Sequence, residues 1–193
     1  MATALNRPEP VTIEAFDAFV EDKGDDARLY ELIDGVIVMM SNPTEAHEQI
    51  AANIGAPLKL AMDKRNCRTY QGGMRVQMSE KTSGIDKTKP DVLVRCGAPT
   101  STKTYVTDPL VVVEVLSPST IDVDRGAKLD VYKVVPTMTH IVLVYQDQMP
   151  VEHYQRTPDG FELQVLKKPE DRLEFESVGF EIDLATVYFG VEV

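Results

Sequence analysis

The sequence predicts an α/β protein with a mixed central β-sheet flanked by helices. Three observations predict it. Two short runs rich in β-branched residues, 91–95 (DVLVR) and 110–116 (LVVVEVL), read as strands buried on both faces. Two segments with helical spacing follow capping residues, Thr12 and the run Ser41-Asn42-Pro43-Thr44. Strand and helix signals alternate along the chain instead of segregating. The 193 residues suit one domain, 43% of them are hydrophobic, and there is no internal repeat or low-complexity linker.

In chain order, Thr12 caps a short helix whose stripe is Ile13, Phe16, Ala18, Phe19 and Val20, ending near Gly24. Residues 29–40 form a strand, a tight turn at Asp34-Gly35 and a second strand. A helix runs from about Glu45 to Met62, with Pro57 expected to kink or shorten it. Residues 67–78 form a strand interrupted at Gly72-Gly73, and 79–89 is a polar loop. After the two buried strands, a helix over about 122–135 presents Ala127, Val131, Val134 and Val135 to the core, and Pro136 stops it. Strands then follow over 140–145, 151–155, 161–166 and 172–175, with a turn at Pro158-Asp159-Gly160.

The net charge of −11 argues against a broad nucleic-acid-binding surface. The charge is uneven, however. Residues 59–103 carry ten Lys/Arg and four acids, a net of +6 against −17 for the rest. This is either a local basic face or a solvated surface without a partner. No apolar run is long enough to span a membrane and no signal peptide is visible, so a cytoplasmic location is expected. Cys67 and Cys96 form no CxxC pair and no disulfide framework, and read as two buried or idle thiols in a reducing compartment.

Glu114 is the most informative residue. It sits within VVVEVL and shares a strand face with Val112 and Leu116, where a carboxylate needs a partner: a metal ion, a lysine or an arginine. Asp91, after Pro90, shares a face with Leu93 and Arg95. If the two strands are neighbours, both carboxylates meet at one sheet edge, and Mg²⁺ or Mn²⁺ favours such oxygen ligands. Such an ion polarises a phosphoryl oxygen. Lys128, four residues after Asp124 and four before Tyr132, could reach the same edge and orient a water or stabilise developing charge. The structural alternatives are a strand-start cap for Asp91, an ion pair of Glu114 with Arg95 or Lys128, and a surface pair of Lys128 with Asp124.

YELIDG (30–35), Pro90-Asp91, VVVEVLSPST (111–120) and the D-R-G-x-K-L-x-x-Y pattern (124–132) occur in that order. Together they resemble the Uma2 family of endonucleases, within the PD-(D/E)xK nuclease superfamily, over roughly residues 12–155. The resemblance implies a restriction-endonuclease-like core, DNA as substrate and Mg²⁺ or Mn²⁺ as cofactor. It implies that Asp91, Glu114 and Glu31 hold metal, and that Lys128 replaces the superfamily lysine, whose usual position is Leu116 here. His47 resembles a family histidine near the site. Glu31 also alternates with Leu29 and Ile33 on one strand face, so it either points inward or pairs with Arg28 at the surface. The chain departs from the family after Tyr132: a Gly-Val-Pro-Glu-Tyr-Trp run is replaced by Val135-Pro136-Thr137-Met138-Thr139-His140, and there is no Trp.

Two functions compete. One is a metal-dependent DNA endonuclease using Glu31, Asp91, Glu114 and Lys128, with His47 and Tyr132 as accessories. The other is a non-catalytic member of the fold that binds nucleic acid or a protein. By analogy with other DNA-cutting enzymes, the strand-rich C-terminal part could support a homodimer. A metabolic α/β enzyme has little support, because GxGxxG, GxxxxGK[ST] and GxSxG are all absent.

Overall fold

Local sequence chemistry sets the first elements. Thr12 accepts the amide of Ala15 (3.2 Å) and starts helix α1 (Ile13–Lys23), which Gly24 closes at φ 55°. Residues 9–24, 26, 30–78, 86–99, 102–118 and 120–193 are described in this computed structural model. Strands β1 (Tyr30–Ile33) and β2 (Val36–Met39) are joined by Asp34 and Gly35 at φ 48° and 70°, the left-handed pair that a two-residue hairpin turn requires. Thr44 caps helix α2 (Glu45–Met62), which continues through Pro57 instead of ending there. Ile50, Ile54, Leu58 and Met62 are fully buried along its inner face, each contributing about 1.5–3 kcal/mol of apolar burial.

The interruption at Gly72-Gly73 is a change of sheet. Strand β3 (Cys67–Gln71) lies in a six-stranded sheet and β4 (Arg75–Gln77) in a five-stranded one. Then come β5 (Lys87–Thr88), β6 (Val92–Cys96), β7 (Tyr105–Val106) and β8 (Val111–Leu116). One helical segment follows: α3 (Ile121–Val123), a π turn (Asp124–Lys128) and α4 (Leu129–Lys133). The C-terminal part holds β9 (His140–Tyr145), β10 (Val151–Thr157), β11 (Gly160–Leu166), β12 (Arg172–Phe175), β13 (Phe180–Asp183) and α5 (Leu184–Val187).

The six-stranded sheet has the order β11-β10-β9-β8-β6-β3, and the five-stranded sheet β2-β1-β5-β4-β7. Within the larger sheet only β8 and β9 run parallel, which makes it mixed. One face of the larger sheet packs Val92, Val94, Val113 and Val142 against α2 and the C-terminal elements, including Phe175, Leu184 and Tyr188. The other face packs Leu93, Val112, Leu116 and Leu143 against Leu129, Tyr132 and Val135 of the helical segment and Val76 of the smaller sheet. Helices thus flank a mixed sheet, in the α/β class. Among the described residues, no helix is long and apolar enough to cross a membrane.

Three sequence expectations are corrected. Cys67 and Cys96 are not idle thiols: they face each other in the β3–β6 register and form a disulfide. The polar segment 79–89 is not all loop, since Lys87 and Thr88 pair with β1 and β4, while residues 79–85 lie outside the described residues. The helix does not present Ala127 and Val134 to the core. Ala127 is exposed and Val134 is 41% exposed, whereas Asp124, Lys128, Leu129, Val131, Tyr132 and Val135 are buried. The π turn carries an extra residue per turn, which rotates the face, and ion pairing of Asp124 and Lys128 fixes the new one. For segment 59–103 the two readings, basic face or solvated surface, had been left open, and among its described residues several cations turn inward instead. Arg75, Lys87 and Arg95 are buried and bound to Tyr30 O, Asp17 and Asp108 respectively.

Candidate functional site

Five pieces of chain converge where the two sheets meet the helical segment. β1 contributes Glu31, the start of β6 contributes Asp91, and β8 contributes Glu114. The helical segment adds Asp124, Lys128 and Tyr132, and the first turn of α2 adds His47. Asp91 and Glu114 come together because β6 and β8 are antiparallel neighbours, with Val92 opposite Val113. The π turn brings Asp124 and Lys128 to the same inner surface. Such turns recur at functional sites.

Lys128 is the centre of the cluster and is only 1% exposed. Its Nζ lies 2.9 Å from Glu114 Oε1, 2.9 Å from Asp124 Oδ1 and 3.2 Å from Glu31 Oε2. Glu114 Oε1 also accepts the hydroxyl of Tyr132 (2.5 Å), and Glu31 Oε1 accepts the backbone amide of Lys89 (2.8 Å). The buried Glu114 therefore has two partners, an ammonium and a phenol. Arg95, the other suggested partner, makes a two-pronged pair with Asp108 instead. The suggested pairing of Glu31 with Arg28, and the face shared with Leu29, lie outside the described residues.

Burial and mutual charge set the electrostatics. Burial raises the Glu114 pKa well above the usual carboxylate range; Lys128 opposes the rise, while Asp124, Asp91 and Glu31 add to it. Burial disfavours charge on Lys128, but Glu114, Glu31 and Asp124 outweigh it and hold that pKa well above the usual lysine value. Lys128 is thus a permanent internal cation. Burial, then the charge of Glu114, raises the Tyr132 phenol, which keeps its proton and donates it.

Asp91 is held differently. Its Oδ2 accepts the backbone amide of Val115 (2.7 Å) and lies 3.3 Å from His47 Nε2. Burial lowers the His47 pKa, but the bond to Asp91 and the nearby acids Glu48 and Asp124 reverse this into a net rise. Thr44 fixes the histidine's place by accepting its backbone amide (3.2 Å). Glu31, His47, Lys89, Asp91, Glu114, Asp124 and Lys128 line a cavity of about 510 Å³, walled further by Ser41 to Pro43, Ser117 and Thr120.

The residues fit one divalent cation. Asp91 Oδ1 and Glu114 Oε2 belong to cavity-lining carboxylates on adjacent strands, and neither atom has a hydrogen-bond partner among the described residues. Two carboxylates with water and substrate oxygens are a common shell for Mg²⁺ or Mn²⁺. Both oxygens of Glu31 are already engaged, by Lys89 N and by Lys128. Accordingly, no group of three His, Cys, Asp or Glu side chains among the described residues is arranged as a ready metal cluster.

Sequence reasoning treated Asp124 only as a helix partner of Lys128 and did not single out Lys89. Asp124 is a buried acid of the site, which its four-residue spacing from Lys128 could have signalled. Lys89, two residues before Asp91, lines the cavity. Burial, helped by Arg75 and Lys128, lowers its pKa against the pull of Glu31 and Asp91.

Comparison with known proteins supplies a family. A family model, Uma2, described as "Putative restriction endonuclease", matches residues 14–186. Two proteins of Synechocystis sp. (strain ATCC 27184 / PCC 6803 / Kazusa), both described as uncharacterized, are similar. The protein slr1290 is 29% identical over 163 residues, 84% of each chain. The protein sll1609 is 30% identical over 132 residues, 67% of this chain and 73% of that one. The fold resembles a crystal structure from Anabaena variabilis ATCC 29413, described as "a putative nuclease belonging to DUF820". Its TM-score is 0.72 at 19% identity, covering 93% of this chain and 98% of that one.

Proposed function

From the premise that this chain belongs to the Uma2 family, we propose that it is a metal-dependent endonuclease that hydrolyses DNA phosphodiester bonds. The observation that carries this reading is the pair of oxygens, Asp91 Oδ1 and Glu114 Oε2, that have no hydrogen-bond partner among the described residues and are brought to one cavity by adjacent strands.

Asp91 and Glu114 hold the ion. When bound there, Mg²⁺ or Mn²⁺ supplies Lewis acidity towards a phosphoryl group and towards water. The protein's own groups prepare the site. Val115 N and His47 fix one oxygen of Asp91, which aims the other. Tyr132 and Lys128 fix Glu114 Oε1 in the same way. Lys128 pairs with Glu31, Glu114 and Asp124 in a buried setting, and its positive field favours the negative charge that builds on a phosphoryl group in the transition state. Glu31 acts on the site through Lys128, as a positioning residue. Lys89, at the cavity wall, supplies a cation for the phosphate backbone. This local pair of lysines replaces the basic face considered from sequence.

A specific observation favours a second reading, a non-catalytic protein of the same fold: Lys128 is so enclosed that its carboxylates form a closed ion-pair cluster. Incubation of supercoiled plasmid and single-stranded DNA with the protein and Mg²⁺ or Mn²⁺ separates the two. The nuclease reading expects cleavage by the wild type, loss with EDTA, and at least a hundredfold loss in Glu114→Gln. Metal-dependent cleavage that persists in Glu114→Gln contradicts it.

A further inference from the structure

We infer that Lys128 stands in the place of a second cation, so that the site takes a single divalent ion, between Asp91 and Glu114. This rests on the metal-site reading above. The ammonium offers three N–H groups, and three carboxylate oxygens converge on it from β1, β8 and the helix at 2.9–3.2 Å. The three oxygens therefore define a cage the size of a small cation. Two of them, Glu31 Oε2 and Asp124 Oδ1, are buried and receive no well-directed hydrogen bond, so charge alone holds them to Lys128.

Two of the three acids are held by further bonds, which leaves them less free to turn to another ion. The second oxygen of Glu31 takes the amide of Lys89, and the oxygen of Glu114 that faces Lys128 also takes the Tyr132 hydroxyl. Because the lysine is tethered, its charge is present at every metal concentration.

The test is Mn²⁺ binding to the intact protein, counted by equilibrium dialysis and read by electron paramagnetic resonance. The expected result is one ion per chain with the spectrum of an isolated Mn²⁺. Lys128→Ala, which empties the cage and leaves three acids around it, should take two ions with the spectrum of a coupled pair. Two ions in the wild type would overturn the inference while leaving the metal-site reading intact. So would a folded Lys128→Ala that still takes one. If the wild type took none, both would fall. The wild-type count decides even if the variant does not fold.

Discussion

Lys128 Nζ lies 2.9 Å from Glu114 Oε1, and both groups are cut off from solvent. Each group makes the other tolerable in the interior. Removing one partner of a buried pair leaves an uncompensated charge and typically costs about 3–5 kcal/mol. Lys128→Met keeps the volume but strands Glu31, Glu114 and Asp124. Urea unfolding should show a loss in that range, partly recovered in Mn²⁺. A loss under about 1 kcal/mol would mean that the pair is not the buried ion cluster described here.

A second buried pair controls the response to acid. His140 Nε2 accepts the amide of Ser177 (3.4 Å), so in the neutral ring Nδ1 carries the proton and donates to His153 Nε2 (2.9 Å). Burial holds both pKa values down to about 4; His140 presses further on His153, and Glu176 pulls the other way. The unfolded chain takes up these protons near pH 6.5, the native state only near 4. In that window the unfolded state binds more protons, so stability is full above about pH 6.5 and falls as the pH drops towards 4. Between pH 7.5 and 5 each histidine should remove about 2 kcal/mol of stability. Urea unfolding of His153→Gln, compared with the wild type at those two pH values, checks this. An identical pH dependence in the two proteins would contradict it.

Asn53 ties the C-terminal turn to α2. Its Nδ2 donates to Val187 O (3.0 Å) and Phe189 O (2.9 Å), while its Oδ1 accepts from Gln49 (2.8 Å). Asn53→Ala leaves two carbonyls without that donor and should cost about 1–3 kcal/mol. Hydrogen exchange should quicken at 184–191 and stay unchanged in β8. Unchanged exchange in the C-terminal turn would show that apolar packing alone holds it.

Gly126 lies in the π turn, yet a methyl group there meets nothing within 4 Å, and its φ is not in the left-handed region. The glycine therefore costs backbone entropy without a steric need. Gly126→Ala should stabilise the protein by about 0.5–1 kcal/mol and leave the site in place. A destabilisation seen in thermal melts would mean that the π turn itself needs the glycine.

The legible features were those with a local period. Alternation in VVVEVL placed Glu114 on the face of Val112 and Leu116, and that face is the one it occupies. The Asp34-Gly35 turn and the Thr12 and Thr44 caps are written in adjacent residues. What depends on distant partners was hidden. The Cys67–Cys96 bond follows from strand register, which neither residue's neighbours encode. Arg75 and Lys87 look like surface cations until Tyr30 and Asp17, 45 and 70 residues away, are brought to them. The outward turn of Ala127 and Val134 rests on a π turn, which the apolar period of the segment does not show. For Glu31 the inward and surface readings stayed open in the sequence, and its pairing with Lys128 required the two sheets to meet.

The central claim is that Asp91 and Glu114 hold one divalent ion. Calorimetric titration of Mn²⁺ into the wild type and Asp91→Asn tests it without any assumption about the DNA. Saturable binding in the wild type and its loss in a folded Asp91→Asn is the predicted result. Equal binding by the two proteins, or no binding by the wild type, would contradict it.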